Sequence, residues 1–218
     1  MNPVQISRRR FSKIFWNIVL NKTSDDYDRD FDDLLAMEEH QQPLRLRADY
    51  KTGSIDFSDI ADLYALVKFF EPHTIAEVGT YIGVSTLTMH LATGGLADIH
   101  TCDMSNDIKD VFDRDAVTYY PRTRSHDMFK KIDELKLKVD FVYLDGRLGQ
   151  EDIEPLSKII HDKTVFAMDD FEGVEKGVAN AMMLESPGRV LIYPSKPTRK
   201  TAVSLPLSLL QIIPQEMT

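Results

Sequence analysis

The sequence has few of the residues that mark a secreted, membrane-spanning or nucleic-acid-binding protein. It contains one cysteine, Cys102, which excludes an internal disulfide and a thiolate metal site built from this chain alone. No run reaches the roughly 20 apolar residues that a membrane span needs. Acidic residues outnumber basic ones, 35 against 26, and the net charge of -9 disfavours nucleic acid as a partner. These absences favour a cytoplasmic protein that acts on a small molecule.

The N-terminal 50 residues differ in character from the rest. Three consecutive arginines lead into residues 11–20, where polar positions interrupt the apolar ones, and this favours a short amphipathic helix over a signal peptide. That helix could pack on the body of the protein, on a partner subunit or on a membrane surface. We therefore predict a helical extension over 1–50 and a main domain over 51–218, within one compact unit. The apolar tail LPLSLLQIIP adds a second surface that favours a homodimer.

Short apolar runs alternate with helix-like segments from Thr74 onward, after a first helix that should end before Pro72. Strands alternating with helices indicate a doubly wound α/β fold, with a parallel sheet covered on both faces. The last two strands are joined by a proline-rich link without a helix, which predicts a hairpin at the sheet edge. The predicted strands are 74–78, 99–102, 116–120, 141–144, 165–168, 190–193 and 201–205.

An acidic residue lies at or near the end of each of the first five strands. In an open α/β sheet the ligand binds beyond the carboxyl ends of the strands, so these positions mark the candidate site. The residues there are Glu77, Gly79 and Gly83 for the first strand, Asp103 for the second, Ser125, His126 and Asp127 for the third, Asp145, Gly146 and Arg147 for the fourth, and Asp169 and Asp170 for the fifth.

The turn after the first strand has two glycines four residues apart, in the segment EVGTYIGVST. A dinucleotide site needs Gly-x-Gly-x-x-Gly, because the middle glycine lets the backbone approach a pyrophosphate. Counted from Gly79, that middle position is Tyr81, which argues against a diphosphate. The segment offers an acidic residue, a tight turn and, at Gly83, a position without a side chain. These features suit a ligand that has an amino acid part and a ribose but no phosphate. Glu77 would face its ammonium or an ordered water, and Asp103 its ribose hydroxyls, although a nicotinamide site also wants an acid there.

Four segments resemble, in the same order, those of class I S-adenosylmethionine-dependent methyltransferases. The segments are AEVGTYIGVST, HTCDMS, DFVYLDGR and FAMDDFEGV, and the resemblance runs from about Gly53 to the end of the chain. It is closest to the small O-methyltransferases related to catechol and caffeoyl-CoA enzymes and to bacterial sugar and natural-product methyltransferases. It implies a seven-stranded Rossmann-like sheet with a reversed terminal strand. The implied reaction is O-methylation of a small hydroxylated molecule, such as a sugar or a secondary metabolite, with S-adenosylmethionine as the methyl donor.

The resemblance also implies roles for individual residues. Metal-dependent relatives hold magnesium with two aspartates and an asparagine, and this chain has a third aspartate in place of the asparagine; oxygen ligands suit that ion. The paired aspartates could equally cap the next helix, and His126 could be an ordinary loop residue. The implied cofactor residues are Glu77, Gly79, Tyr81, Gly83, Ser85, Asp103, Met104, Ser125, His126, Asp145 and Arg147, and the implied metal ligands are Asp145, Asp169 and Asp170.

Two departures from the family pattern concern the general base. Catechol-type members carry a lysine three residues after the fourth-strand aspartate, where this chain has Leu148, and sugar-methylating relatives carry a histidine that DGRLGQED lacks. Arg147 cannot accept a proton at neutral pH, and His161 is expected on the helix before the fifth strand, away from the site. Asp145, Asp169 and a metal-bound hydroxide remain as candidates for the base, and the two aspartates are the catalytic candidates. The missing base leaves open a catalytically silent cofactor-binding or interaction module. A nicotinamide oxidoreductase is a less favoured alternative, because Asp103 suits it but Tyr81 argues against it.

Overall fold

The computed structural model describes residues 2–6, 32, 40, 55, 57–105, 115–171, 176–194 and 201–212. Within these residues eight strands form one mixed sheet. The strands are β1 (Asn2–Ile6), β2 (Thr74–Val78), β3 (Asp98–Asp103), β4 (Val117–Pro121), β5 (Val139–Leu144), β6 (Ile160–Met168), β7 (Arg189–Pro194) and β8 (Ala202–Pro206). Their order across the sheet is β1-β7-β8-β6-β5-β2-β3-β4, and every neighbouring pair is parallel except the two that include β8.

Helices cover both faces of the sheet. They are α1 (Phe57–Phe70), α2 (Val84–Ala92), α3 (Ser125–Glu134), α4 (Gln150–Ile159) and α5 (Gly177–Met183), and a 3-10 helix spans Leu207–Ile212. The first two helices pack on one face, through a buried cluster that includes Leu63 and Leu87. The other three pack on the opposite face, through a second cluster that includes Phe129, Leu156 and Ala181. The predicted doubly wound fold is therefore confirmed.

Sequence pattern explains where the central elements form. All five residues of β2, TIAEV, are buried, because a parallel strand in the middle of a doubly wound sheet is covered on both faces. In α3 the pattern is amphipathic instead: Met128, Phe129 and Ile132 are buried, and most of the charged residues face solvent. Both elements end or begin at the same edge of the sheet, where the candidate site lies.

The strand register brings four central strand ends to one level. Val78 pairs with Cys102 in β3 and with Leu144 in β5, and Leu144 pairs with Met168 in β6. Because all four strands are parallel, the residues that follow them meet at one edge of the sheet. Those residues are Gly79, Asp103, Asp145 and Asp169.

The structure differs from the sequence analysis at the other end of the sheet. The predicted hairpin forms, since β7 and β8 are antiparallel, and the last strand is reversed as the resemblance implied. The hairpin is not at the edge, however, because the N-terminal strand Asn2–Ile6 pairs in parallel with β7. The described residues thus contain eight strands where seven were predicted. Pairing with β1 satisfies backbone groups of β7 that an edge strand would leave open.

A second difference concerns His161, which was expected on a helix. The helix α4 ends at Ile159 and β6 begins at Ile160, so His161 lies in the strand. Its Nε2 is 2.9 Å from Asp140 Oδ1, and the same aspartate accepts the backbone N–H of His73 and Thr74. These contacts lie at the amino ends of the strands. His161 is therefore remote from the candidate site, as expected.

Most of the predicted N-terminal extension lies outside the described residues, including the amphipathic segment 11–20. The division into 1–50 and 51–218 therefore stays a prediction, as does the homodimer. None of the helices that the structure describes has the length and apolar character needed to cross a membrane.

Candidate functional site

The turn after β2 has a backbone that favours glycine. Gly79 has a φ of 99°, and a Cβ there would lie 3.0 Å from the carbonyl carbon of Asp145 and from the amide nitrogen of Gly146. A side chain here would be strained by the positive φ, and it would force the neighbouring backbone to shift. Gly83 has a φ of 75° and is the N-cap of α2, and its N–H donates to the Thr80 carbonyl at 2.8 Å. The bare position at Gly79 therefore lets the loops after β2 and β5 come into contact.

Tyr81 and Asp103 join this turn to the end of β3. Tyr81 has a φ of 44°, in the left-handed region, and its N–H donates to Asp103 Oδ2 at 2.7 Å. The other carboxylate oxygen accepts the N–H of Ser105 at 2.7 Å. A carboxylate can accept about four hydrogen bonds, so Asp103 keeps acceptor capacity for ligand hydroxyls. The N–H of Tyr81, at the middle position of the dinucleotide pattern, binds a carboxylate of the protein itself.

Glu77 lies beneath the turn. Its side chain is fully buried, and its carboxylate accepts hydrogen bonds from Ser85 Oγ at 2.5 Å and from the Thr86 hydroxyl. Burial raises the pKa of Glu77 to about 7, although the hydroxyl donors, which include Thr101, act in the opposite direction. The sequence analysis placed Glu77 against the ammonium group of a ligand or an ordered water, and it counted Ser85 among the cofactor residues. The structure places them against each other, where they fasten the first turn of α2 to β2.

A pocket of about 500 Å³ opens beside the turn, at the carboxyl ends of β2, β3 and β5. We name it the strand-end pocket. Its volume lies within the range of small-molecule sites. The predicted cofactor residues that line it are Gly79, Asp103, Met104, Ser125, His126 and Arg147. The other predicted cofactor residues are not part of this lining: Tyr81 and Gly83 belong to the turn itself, Glu77 and Ser85 lie in the elements next to it, and Asp145 directly follows β5.

One wall of the strand-end pocket comes from the starts of α3 and α4. Ser125 and His126 belong to this wall. His126 Nε2 lies 3.2 Å from Oδ1 of Asp127, a half-exposed residue that does not line the pocket. The wall also includes Arg124 and Glu151, whose charged groups are 3.9 Å apart. The sequence analysis missed these two because it did not predict that the starts of α3 and α4 lie together.

Asn180 is a buried residue of α5 that the sequence analysis also missed. Its Nδ2 donates to the Gly146 carbonyl at 2.9 Å, and its Oδ1 accepts the N–H of Leu148 at 2.9 Å. Asn180 thereby fixes both ends of the segment 146–148, which lines the strand-end pocket. A fully buried amide needs such partners. The one available signal was a polar residue in the otherwise apolar helical segment GVANAMM.

Lys176 was not predicted either, and it reaches the aspartates after β5 and β6. Its Nζ contacts Asp145 Oδ1 and lies 2.5 Å from Asp170 Oδ2. Burial, together with the nearby charge of Asp169, raises the pKa of Asp145 to about 8, although Lys176 opposes this. Burial would lower the pKa of Lys176, but its bonds to the two carboxylates outweigh it, and that pKa lies above the ordinary value. We name these four residues the acid cluster.

The acid cluster brings together the three predicted metal ligands, and a lysine lies among them. The described residues include Asp145, Asp169 and Asp170, and within them no group of three or more His, Cys, Asp or Glu side chains is arranged to hold a metal. Two of the carboxylates instead bind the ammonium group of Lys176. Two of the three predicted magnesium ligands are thus paired with a cation from the chain itself.

No protein-family model matches the chain, and no curated protein matches it by sequence. Solved structures do match it. An O-methyltransferase from Bacillus cereus in complex with S-adenosylhomocysteine aligns with a TM-score of 0.59 and 17% identity, over 79% of this chain and 89% of that one. TomG from Streptomyces achromogenes, an O-methyltransferase of tomaymycin synthesis in complex with S-adenosylmethionine, aligns with a TM-score of 0.58 and 14% identity, over 80% and 89%.

A third match is a Podospora anserina methyltransferase bound to S-adenosylhomocysteine, with a TM-score of 0.61 and 16% identity, over 78% of this chain and 87% of that one. At such low identity these matches speak to the fold and not to the substrates. They agree with the resemblance found in the sequence, and they cover most of the chain. The chain therefore has the fold of the class I methyltransferases.

Proposed function

We propose that the protein is an S-adenosylmethionine-dependent methyltransferase that methylates a hydroxyl oxygen of a small molecule. One observation carries the proposal: a bare glycine turn and an acidic residue border a pocket of about 500 Å³ at the carboxyl ends of the central strands. Ligands of doubly wound sheets bind in this place. The methyltransferase structures named above share the fold and hold S-adenosylmethionine or its product.

The residues of the strand-end pocket suit the nucleoside part of this cofactor. Asp103 would accept hydrogen bonds from the ribose hydroxyls, and Met104, Ser125 and His126 would surround the adenine. Gly79 permits the close approach of the cofactor's amino acid part to the backbone. A pyrophosphate is a poorer fit, because the pocket would present the carboxylate of Asp103 to it and Tyr81 already donates its N–H to that group.

The acid cluster lies next to the strand-end pocket, since Asp145 directly precedes Gly146, which lines it. S-adenosylmethionine supplies a methyl group on a positively charged sulfur. Bound in the pocket, it would give that methyl group to the acceptor oxygen, and its sulfur would keep the electron pair of the broken carbon–sulfur bond and leave as S-adenosylhomocysteine. The hydroxyl proton passes to the carboxylate of Asp145 or Asp169. Because this is an in-line displacement, the chain contributes mainly by holding the acceptor oxygen behind the methyl group.

Calorimetry with S-adenosylhomocysteine and with NADH tests the cofactor. We expect binding of S-adenosylhomocysteine and none of NADH. Asp103→Ala should weaken the binding of S-adenosylhomocysteine by about 10- to 100-fold, the equivalent of one or two charge-assisted hydrogen bonds. Asp162→Ala, at an exposed carboxylate at the opposite end of the sheet, is the control and should leave the affinity unchanged. Tight binding of NADH alone would refute the proposal in favour of an oxidoreductase.

Transfer assays over a panel of alcohols, phenols and sugars test the reaction. Methylation of any of them supports an O-methyltransferase, whereas binding of S-adenosylhomocysteine without transfer supports the silent module. We further propose that the protein acts in the cytoplasm on a small-molecule acceptor, without nucleic acid, and as a homodimer. Light scattering on the full chain tests the dimer.

A further inference from the structure

We propose that Lys176 is the resident cation of the acceptor site, in place of a divalent metal, and that its ammonium group holds the oxygen that receives the methyl group. This inference rests on the proposed function and extends it to the acceptor. Lys176 lies at the strand ends where the acid cluster gathers its three carboxylates. Of these, Asp145 and Asp170 bind Lys176 directly.

The packing of α5 fixes Lys176 in this place. A Cβ on the next residue, Gly177, would lie 2.6 Å from the Asp169 carbonyl oxygen and 2.7 Å from Phe171 Cα, so only glycine lets the helix start so close to the loop after β6. One turn further on, Asn180 binds the backbone on both sides of Arg147. The start of the helix, directly after Lys176, is thus held against the loop after β6 at Gly177 and against the loop after β5 at Asn180.

The charges and donors of the cluster favour the ammonium over an added metal. A magnesium ion would have to displace Lys176 from the carboxylates or bind beside a positive charge, and like charges at this distance repel strongly in a partly buried site. An ammonium has three N–H donors. Among the described residues two oxygens accept from Lys176, which leaves the third N–H for a ligand. The side chain is 27% exposed, so a small acceptor can reach it.

This arrangement has a consequence for the acceptor. A divalent ion binds two adjacent oxygens of one molecule well, which favours vicinal diols such as catechols. An ammonium donor needs a single oxygen. We therefore expect acceptors with one isolated hydroxyl to be methylated as readily as vicinal diols, and chelators to have no effect.

A magnesium titration tests the inference without any need for catalysis. The natural protein should not bind Mg²⁺ at millimolar concentration in calorimetry. Lys176→Met removes the cation and leaves the carboxylates, and it should gain Mg²⁺ binding. Lys176→Arg keeps the charge and should stay without Mg²⁺, as should the control Lys163→Met at an exposed lysine of β6. Binding of Mg²⁺ by the natural protein would overturn the inference.

Transfer assays give a second, independent reading. We expect the natural protein to keep its rate in EDTA to within about twofold and Lys176→Met to lose about 100-fold, as for the loss of one aimed donor. Binding of S-adenosylhomocysteine should change less than threefold in Lys176→Met, roughly the effect of a distant change. Transfer by the natural protein that stops in EDTA and returns with Mg²⁺ would overturn the inference. Failure of the natural protein to bind S-adenosylhomocysteine would refute the proposed function instead, and the magnesium titration would still decide the role of Lys176.

Discussion

The candidate site at the carboxyl ends of the strands has two halves, and each depends on a different structural feature. The half at β2 and β3 depends on backbone conformation: three residues between positions 79 and 83 have positive φ, and the strand-end pocket opens beside them. The half at β5 and β6 depends on side chains that meet from far apart in the sequence. Lys176 lies 31 positions after Asp145, and Asn180 lies 34 positions after Gly146. The half at β2 and β3 should therefore be disrupted by an added side chain, and the half at β5 and β6 by the loss of a particular side chain.

The largest effect should follow from Gly79→Ala, which adds one methyl group to the turn after β2. Gly79→Ala places a Cβ 3.0 Å from two backbone atoms at a φ of 99°. Left-handed strain of about 1–2 kcal/mol and overpacking of about 1–3 kcal/mol together predict a loss of stability on the order of 4 kcal/mol. Affinity for S-adenosylhomocysteine should fall at least about 100-fold, because the turn must move. Urea unfolding and calorimetry measure the two effects.

The chain offers a matched control for this substitution. Gly94 also has a positive φ, of 62°, but a Cβ there would have no atom within 4 Å. Gly94→Ala should therefore show the strain alone, about 1 kcal/mol, and unchanged cofactor affinity. Equal effects at the two glycines would show that contact between the loops after β2 and β5 does not matter.

The next effect concerns the buried acid beneath the turn. The pKa of Glu77 in the folded protein, about 7, lies above its ordinary value of 4.5, so the folded state holds this proton more tightly than the unfolded state. The resulting stabilisation is present below about pH 4.5 and is lost as the pH rises to about 7, by on the order of 3 kcal/mol. Glu77→Gln is neutral throughout, so it should lack this pH dependence and be the more stable protein at pH 8.

Urea unfolding of Glu77→Gln and of the natural protein at a series of pH values checks this expectation. The hydroxyls of Ser85 and Thr86 can donate or accept, so they can still pair with an amide. Parallel stability curves for the two proteins between pH 4.5 and 7 would show that Glu77 is ionised in the folded state, and that its carboxylate is better solvated than its burial indicates.

The smallest of the three effects should come from Asn180, which joins α5 to the segment 146–148 of the strand-end pocket. Asn180→Ala removes two hydrogen bonds and leaves the Gly146 carbonyl and the Leu148 N–H without their partner, which should cost about 2 kcal/mol of unfolding free energy. Transfer activity should fall more than cofactor affinity, because the loop then positions Asp145 less firmly. Asn180→Asp retains the acceptor for Leu148 and should fall between. A drop in cofactor affinity alone would show that Asn180 serves only the strand-end pocket.

The backbone half was accessible from the sequence because its signals are local. Glycines at fixed spacing indicate a turn, and the apolar run TIAEV indicates the strand that leads into it. Gly79 and Asp103 were therefore predicted at the carboxyl ends of strands, and they lie there in the structure. The internal pairing of Glu77 with Ser85 was not predicted. A buried carboxylate such as Glu77 and a ligand-binding one such as Asp103 look alike in sequence, since both lie near the end of an apolar strand. Only their burial in the folded protein distinguishes them.

The side-chain half was not accessible in the same way. The three aspartates were predicted to be metal ligands because they match the metal positions of the family that the sequence resembles, and the sequence did not indicate that a lysine would pair with two of them. Lys176 lies at the start of a helix of seven residues, after the segment 172–175. Because most lysines lie on protein surfaces, its position in the sequence did not indicate a role in the site. The eighth strand was missed for a related reason, since Asn2–Ile6 contains a proline and acquires its role only by pairing with β7.

The sequence by itself determined the alternation of strands and helices, the glycine turn and the row of acids at the strand ends, because these follow from burial and from backbone conformations that neighbouring residues set. Only the tertiary structure decided which acids pair with which partners. The charge of Lys176 acts over a few ångströms in space, and the packing of Gly177 and Asn180 places it beside Asp145, which lies 31 positions earlier in the sequence.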